Sequence, residues 1–320
     1  MDFPGENLVI KLWDSLVDKG IGSLLKPWQA RREAKADLTN RADEILLLAQ
    51  AEHDAAAIRA GSKRAHQEGS RILLLEQNAE VVAGRVEPQL NMPQLIAAAS
   101  QARGAQAVLD EVNVAKAVLH AESILKGDKT PATEKLLDSD WLRRWRDNAA
   151  CVSSDELRSL WGNVLAEEVK APGAYSLRTL DFLKNLSKDE AQQIQAMRPY
   201  VVNGSYLATY GQMRPSEGHY SLFPDSLQYL GLLGGPGRLG ISKIVIASQR
   251  ADQFYAELRT NGKVVTVQST DAGKELWIHA YRLTPTGAEV FALCPILPDA
   301  EYLEALAKHI QELGFTVSVT

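Results

Sequence analysis

Cysteine is almost missing from this chain. Two occur in 320 residues, Cys151 and Cys294, far apart and among apolar neighbours. They offer no disulfide framework, and two lone thiols fit a reducing compartment and buried structural roles. Long apolar runs are missing too. The longest, such as Ile45–Ala49, fall far short of the ~18 residues needed to span a bilayer. The first residues, MDFPGENLVIKLWD, contain neither a basic n-region nor an apolar h-region, so the expectation is a cytoplasmic protein without a secretory leader.

Metal-ligand spacings are absent as well. None of His53, His66, His120, His219, His279 and His309 pairs with another His or a Cys as H-x-x-x-H or C-x-x-C, so no metal or cofactor is expected. No G-x-S-x-G nucleophile elbow occurs. An excess of positive charge is also lacking. The net charge of −5 disfavours a body that coats nucleic acid, though it allows a local basic patch. What remains is an ordinary globular composition, 45% hydrophobic and 23% charged, long enough for two domains.

The first half reads as helix. Leu8, Val9, Leu12, Trp13, Leu16 and Val17 form one stripe at helical spacing, until Pro27 stops or kinks it. From Trp28 to about Val86 there is no proline, and Ala, Glu, Arg, Gln and Leu dominate. This predicts long helix, broken into two at Gly61 and Gly69. A second long helix is expected from about Gln94 to Leu125. The pair would form a helical hairpin. Lys126-Gly-Asp-Lys-Thr-Pro131 gathers turn formers and charge and suggests the domain boundary, with a helical assembly region over 1–130 and an α+β module over 131–320.

That module begins with helices between 139 and 198. Ser139 or Asp140 is expected to cap the first and Ser153 or Ser154 the second, and Ser187-x-x-Glu190 is a capping box. After Pro199 the pattern turns mixed. A short helix is expected over Phe223–Leu233 and a strand near Ile241–Ala247. QFYAELR and KVVTVQS flank Asn261-Gly262, the strongest short hairpin signal. ELWIHAYRL, a helix capped by Thr284-Pro285, a last helix ended by Gly314 and a closing strand complete a helix and antiparallel-strand module of winged-helix-like kind.

Four stretches invite a chemical reading. GGPGRLGIS, Gly234 to Ser242, has Walker-like spacing, but Ile241 stands where the phosphate lysine belongs. It is also expected to lie between a helix and a strand, the reverse of a phosphate loop's context. Pro224-Asp225 with Glu257-x-Arg259 resembles the spacing of a metal-dependent nuclease core. Asp225 is better placed as a helix cap, and arginine replaces the lysine. Trp141 and Trp145 share one helix face, so core tryptophans with solvated Arg143, Arg144 and Arg146 are expected. Trp13 with the following Lys26, Trp28, Arg31, Arg32 and Lys35 could lie in a membrane interface, but packing against protein is the simpler expectation.

LWDSLVDKGIGSLLKPWQARREAKA and LWGNVLAEEVKAPGAYSLRTLDFLKNLSKDEA resemble the bacterial family catalogued as domain of unknown function 2806. The LQYLGLL…YRLTPTGAEVF arrangement is similar to that family's C-terminal part and to abortive-infection alpha-type proteins. The resemblance implies no catalytic residue or cofactor; its link to phage defence is an analogy.

The sequence therefore leads to a non-enzymatic interaction and assembly protein, plausibly part of bacterial phage defence. Its expected partners are copies of itself and another protein. Nucleic acid is not favoured, and peripheral membrane contact through Trp13, Trp28, Arg31 and Arg32 is one alternative. A nuclease using Asp225, Glu257 and Arg259 is the other. Self-association is expected through Leu47 and Leu74, because four consecutive apolar residues in a helix face all sides and cannot all meet one partner helix.

Overall fold

A computed structural model of the chain describes residues 3–18, 39–61, 63–68, 71–76, 92–152, 154–210, 222–234 and 242–320. Within those spans, residues 17–18, 39–48, 63–68, 71–76, 92–95 and 222–225 are described by backbone alone. The chain divides into two compact units, Met1–Ala174 and Tyr175–Thr320. The fold is α+β, with helices concentrated toward the N-terminus and antiparallel strands toward the C-terminus.

The first unit contains helices α1 (Glu6–Asp18), α2 (Thr39–Arg59), α3 (Met92–Lys126), α4 (Ser139–Ala150) and α5 (Asp155–Lys170). The long helices α2 and α3 pack together, and Lys116 Nζ donates to Glu52 Oε1 across them at 2.6 Å. The predicted stripe of α1 is the face that enters the core: Leu8, Val9, Leu12, Trp13 and Leu16 are all buried, against α3 and α5. Trp145 and Trp161 are fully buried, and Trp145 Nε1 donates to the Trp161 carbonyl at 2.9 Å. Arg143 and Arg144 are exposed, and Arg146 pairs with Glu111. The expected division of α4 into a tryptophan face and an arginine face is therefore what the fold uses.

Four expectations need correction here. The helix expected up to about Val86 ends at Arg59, and β1 (Lys63–Glu68) pairs with β2 (Arg71–Glu76) in an antiparallel hairpin. Gly61 adopts φ +76°, a left-handed conformation that ends the helix. In a strand, Ile72 to Leu75 alternate between two faces, so the argument that they encircle a helix does not apply to them. The boundary also differs from residue 130. Residues 126–131 are tied to the helices on either side, because Lys170 Nζ donates to Asp128 Oδ2 at 2.9 Å, and α4 and α5 pack on α3. Finally, Cys151 is exposed at the end of α4, while Cys294 is half-buried. The caps are Asp138 and Ser154. Ser139 and Asp140 lie one and two residues inside α4, where the side chain can no longer reach the free N–H groups of the first turn.

The second unit opens with α6 (Leu177–Lys184) and α7 (Lys188–Met197), the latter with the predicted Ser187–Glu190 capping box. A 3-10 turn (Arg198–Tyr200) leads into β3 (Val201–Val202) and β4 (Tyr206–Ala208). Helix α8 (Leu222–Tyr229) is followed by β5 (Leu233–Gly234), β6 (Ser242–Ile246), β7 (Phe254–Thr260), β8 (Lys263–Ser269) and β9 (Leu276–Leu283). Helices α9 (Pro285–Leu293) and α10 (Ala300–Glu312) and strand β10 (Thr316–Val319) close the unit. One sheet runs β3-β4-β9, with β5 and β6 side by side along the far edge of β9. The other runs β10-β8-β7, antiparallel throughout. In β7 the buried Phe254, Ala256, Leu258 and Thr260 alternate with more open positions. Phe254 meets Phe315 at 4.8 Å between ring centroids, and Thr260 meets Tyr302 of α10.

Helices α3 and α5 meet at Gly162. A Cβ there would lie 2.7 Å from His120 Cδ2 and 2.8 Å from the Ala117 carbonyl oxygen. The prediction is that Gly162→Ala lowers stability in chemical denaturation by about 2 kcal/mol, the usual cost of overpacking a core. An unchanged midpoint would show that the helices can separate freely there.

Asp128 gives a second prediction. Hydrogen bonds from the Thr130 hydroxyl and backbone, and then from Lys170, hold its pKa down at about 2. The folded value lies below the unfolded one, so the contribution is present above about pH 4 and is lost as pH falls towards 2. Asp128→Asn should therefore lower stability at about pH 6 and leave it nearly unchanged at about pH 2. Equal effects at both values, measured by denaturant titration, would rule this linkage out.

Candidate functional site

The site begins with two Asn-Gly turns. Asn203 and Asn261 have φ of 50° and 53°, and Gly204 and Gly262 follow at 64° and 71°. Asparagine and glycine tolerate this left-handed region better than other residues. Asn261-Gly262 makes a two-residue hairpin loop between β7 and β8, with Thr260 paired to Lys263, as its sequence predicts.

The hairpin is clasped from below. Asn261 Nδ2 donates to the Asp299 carbonyl, and Asp299 N–H donates back to Asn261 Oδ1, both at 2.7 Å. The Asn261 N–H and the Thr260 hydroxyl both donate to the Pro199 carbonyl. Tyr200 Oη donates to the Asp299 carboxylate at 2.6 Å, and that carboxylate also caps α10 by accepting from Tyr302 N–H. The donated bonds hold the Asp299 carboxyl below its ordinary range, with the Tyr200 hydroxyl the largest cause.

Above this clasp lies a cavity of about 680 Å³. Its lining includes Arg198, Arg259 and Lys263, the carboxylate residue Glu257, and the two turns. Thr260 and Lys263 flank a two-residue turn, so Tyr255, Glu257 and Arg259 direct their main-chain groups away from β8. Tyr255 N–H donates to Ser248 Oγ, and its carbonyl accepts from Gln249 N–H at 2.7 Å. Arg259 N–H donates to Asn203 Oδ1 at 2.7 Å, and its carbonyl accepts from Asn203 N–H at 2.9 Å. Glu257 lies between these two covered positions. Its carboxylate accepts from the Tyr255 hydroxyl at 2.6 Å, and Arg250 stacks on the Tyr255 ring.

Arg198 is the unusual member. It is half-buried, and its Nε is buried without a hydrogen-bond partner among the described residues. Burial pulls its pKa down, although a guanidinium remains charged. The nearby Cys294 thiol is pushed up to about 11, chiefly by burial. It stays neutral near pH 7 and supplies no counter-charge.

The sequence-predicted residues fall differently. Glu257 and Arg259 line this cavity. Asp225 lies within the first turn of α8 and not before it, so it does not occupy the cap position; its side chain is outside the described residues. Trp13, for which packing against protein is the simpler expectation and a membrane interface the alternative, is buried in the first unit, where its stripe packs on α3 and α5. Trp28, Arg31 and Arg32 lie outside the described residues, as do the side chains of Leu47 and Leu74. Of the Walker-like stretch, residues 235–241 are likewise outside; its ends lie on β5 and β6. Among the described residues no three His, Cys, Asp or Glu side chains gather as metal ligands, and no helix is long and apolar enough to cross a membrane. Sequence reasoning passed over Arg198, Asn203 and Lys263. A repeated Asn-Gly, the one signal available, was present at Asn203-Gly204 as well as Asn261-Gly262.

The geometry defines a cleft between clasped turns on an α+β unit. The family described as protein of unknown function (DUF2806) matches residues 100–229, a segment that includes the LWGNVLAEEVKAPG stretch. No curated protein and no solved structure matches the chain.

The clasp predicts that Asn261→Ala removes two buried hydrogen bonds and puts in left-handed backbone a residue that tolerates it less well than asparagine. Stability of the second unit should fall by about 2–4 kcal/mol, read by denaturation followed through its tyrosine and tryptophan signals. A loss under about 0.5 kcal/mol, the scale of an ordinary surface change, would contradict it.

Proposed function

We propose that the chain is a non-enzymatic interaction protein. Its helical unit assembles with identical copies, and its second unit receives a ligand or partner. The first half of α3 carries this reading. The helix has 35 residues, about 52 Å at 1.5 Å per residue. Apart from Ala105, its buried apolar positions among the described residues lie between Val112 and Leu125. Near its start, Ile96 is 60% exposed and Ala97, Ala98 and Ala99 are exposed as well. An apolar helix surface rimmed by Gln101 and Arg103 has the composition of an interface, and alanine lets a second helix approach closely. For identical chains, cyclic symmetry is the default. A cytoplasmic role in bacterial phage defence belongs to this proposal through the abortive-infection likeness alone, as an analogy.

Light scattering tests it. The protein should self-associate at about 10 μM, a modest interface strength. Ile96→Glu with Ala99→Glu should give smaller species with unchanged helical circular dichroism. A parent protein that is monomeric at that concentration overturns the proposal. Mg²⁺-dependent cleavage of DNA or RNA that Glu257→Gln abolishes would instead favour catalysis by Asp225, Glu257 and Arg259.

A further inference from the structure

We propose that the cavity between the Asn203 and Asn261 turns binds a small phosphate monoester. Arg198, Arg259 and Lys263 hold the phosphate, and Glu257 accepts from a hydroxyl of the same ligand. This inference rests on the cavity alone and does not depend on self-association through α3.

Charge carries the first step. The chain as a whole is acidic, at −5, yet three cationic side chains and one carboxylate line this cavity. No carboxylate among the described residues forms an ion pair with Arg198, Arg259 or Lys263, whereas Lys116, Lys126, Arg146, Arg158 and Lys170 in the other unit are all paired. Unpaired Arg259 and Lys263 are ordinary for exposed residues. Arg198 is half-buried, and its buried Nε has no acceptor among the described residues, which costs free energy. The fold nevertheless fixes it there, with Pro199 and Tyr200 held by three hydrogen bonds beside it. A group kept in place against stability is the pattern of a binding site that awaits its ligand.

Shape and chemistry carry the second. A volume of about 680 Å³ is in the range of small-molecule sites and too large for a bare ion. Guanidinium forks match phosphate oxygens two at a time, and lysine adds a point charge. The cavity's cations exceed its carboxylate by two charges, which a monoester dianion cancels near neutral pH. One Glu257 oxygen is engaged by Tyr255, and the carboxylate retains further acceptor capacity. Val201, Val264 and Ile296 supply apolar surface for the ligand's carbon frame. The probe this chemistry calls for is a sugar phosphate or a nucleoside monophosphate.

The test is titration calorimetry on the full chain, with ribose 5-phosphate, adenosine 5′-monophosphate, ribose, adenosine, inorganic phosphate and a short single-stranded oligonucleotide. At least one of the two monoesters should bind with one site per chain, about tenfold or more tighter than inorganic phosphate. Ribose and adenosine should show no binding. Arg198→Gln and Arg259→Gln should each weaken binding about tenfold or more, the scale of a lost charge-assisted pair. Glu257→Gln should weaken the monoesters while leaving inorganic phosphate unchanged. Arg198→Met serves as the folding control. Its thermal midpoint without ligand should equal or exceed the parent's, and ligand should no longer raise it. The Ile96→Glu, Ala99→Glu protein should bind as the parent does, so failure of assembly and failure of this site can be told apart. The proposal is overturned if neither monoester binds at about 1 mM, if Arg198→Gln binds as tightly as the parent, or if only the oligonucleotide binds.

Discussion

Asn261 adopts a backbone conformation that most residues avoid, and both ends of its amide are bonded to the main chain of Asp299. That exchange fixes the relation of the β7–β8 hairpin to the start of α10. Strain at a left-handed residue is tolerated only where surrounding bonds over-determine it. Here they do. Pro199 accepts from two successive residues of the hairpin, Tyr200 reaches the carboxylate that caps α10, and Tyr302 returns from α10 to Thr260. The Tyr200 and Tyr302 rings meet edge to face at 4.8 Å. Burial, first of all, raises both phenol pKa values, so the network stays in one protonation state across ordinary pH. The cavity above it is thereby pre-organised. Its cations stand on backbone held by the hairpin and the 3-10 turn.

The helical unit solves a different problem. Its core brings α1, α3, α4 and α5 together closely enough that position 162 accepts only glycine without movement. Several polar groups inside are matched. Asn113 donates to the Ala150 carbonyl and accepts from Arg158, and Glu168 accepts from the Gly173 N–H. Such a packed end contrasts with the other half of α3, where apolar side chains stay exposed. One helix therefore has two environments, a packed core around its C-terminal half and an exposed apolar stretch near its start.

The sequence revealed most where a single local rule governed the outcome. Ser187-x-x-Glu190, Asn261-Gly262, Thr284-Pro285 and Gly314 each specified a cap or turn that the structure adopts. The tryptophan stripe of α4 followed from spacing alone. Residues 63–76 did not, because RILLLE carries helix formers and strand formers together and pairing with β1 decides between them. The unit boundary was hidden for a similar reason. Asp128 and Lys170 are 42 positions apart, so a turn-rich segment gave no sign that it was fastened to a distant helix. At the cavity, Glu257 and Arg259 drew notice through a nuclease-like spacing, yet it is Arg198 that distinguishes the site. An arginine at the end of a helix carries no motif; only its burial and its lack of an acceptor mark it.

Net charge and local charge then act at different ranges. The chain's overall −5 repels a polyanion approaching as a whole, while charges beyond about 8 Å from one another are largely screened at physiological salt. A small anion that enters the cavity meets Arg198, Arg259 and Lys263 at short range, where screening is weak and low-dielectric walls strengthen attraction. A long phosphate backbone would carry most of its charge outside that range and meet the acidic chain. On this physical ground the same protein can be poorly suited to nucleic acid and well suited to a small phosphate ester. The proposed discrimination rests on the distribution of charge, with no requirement for a sequence motif.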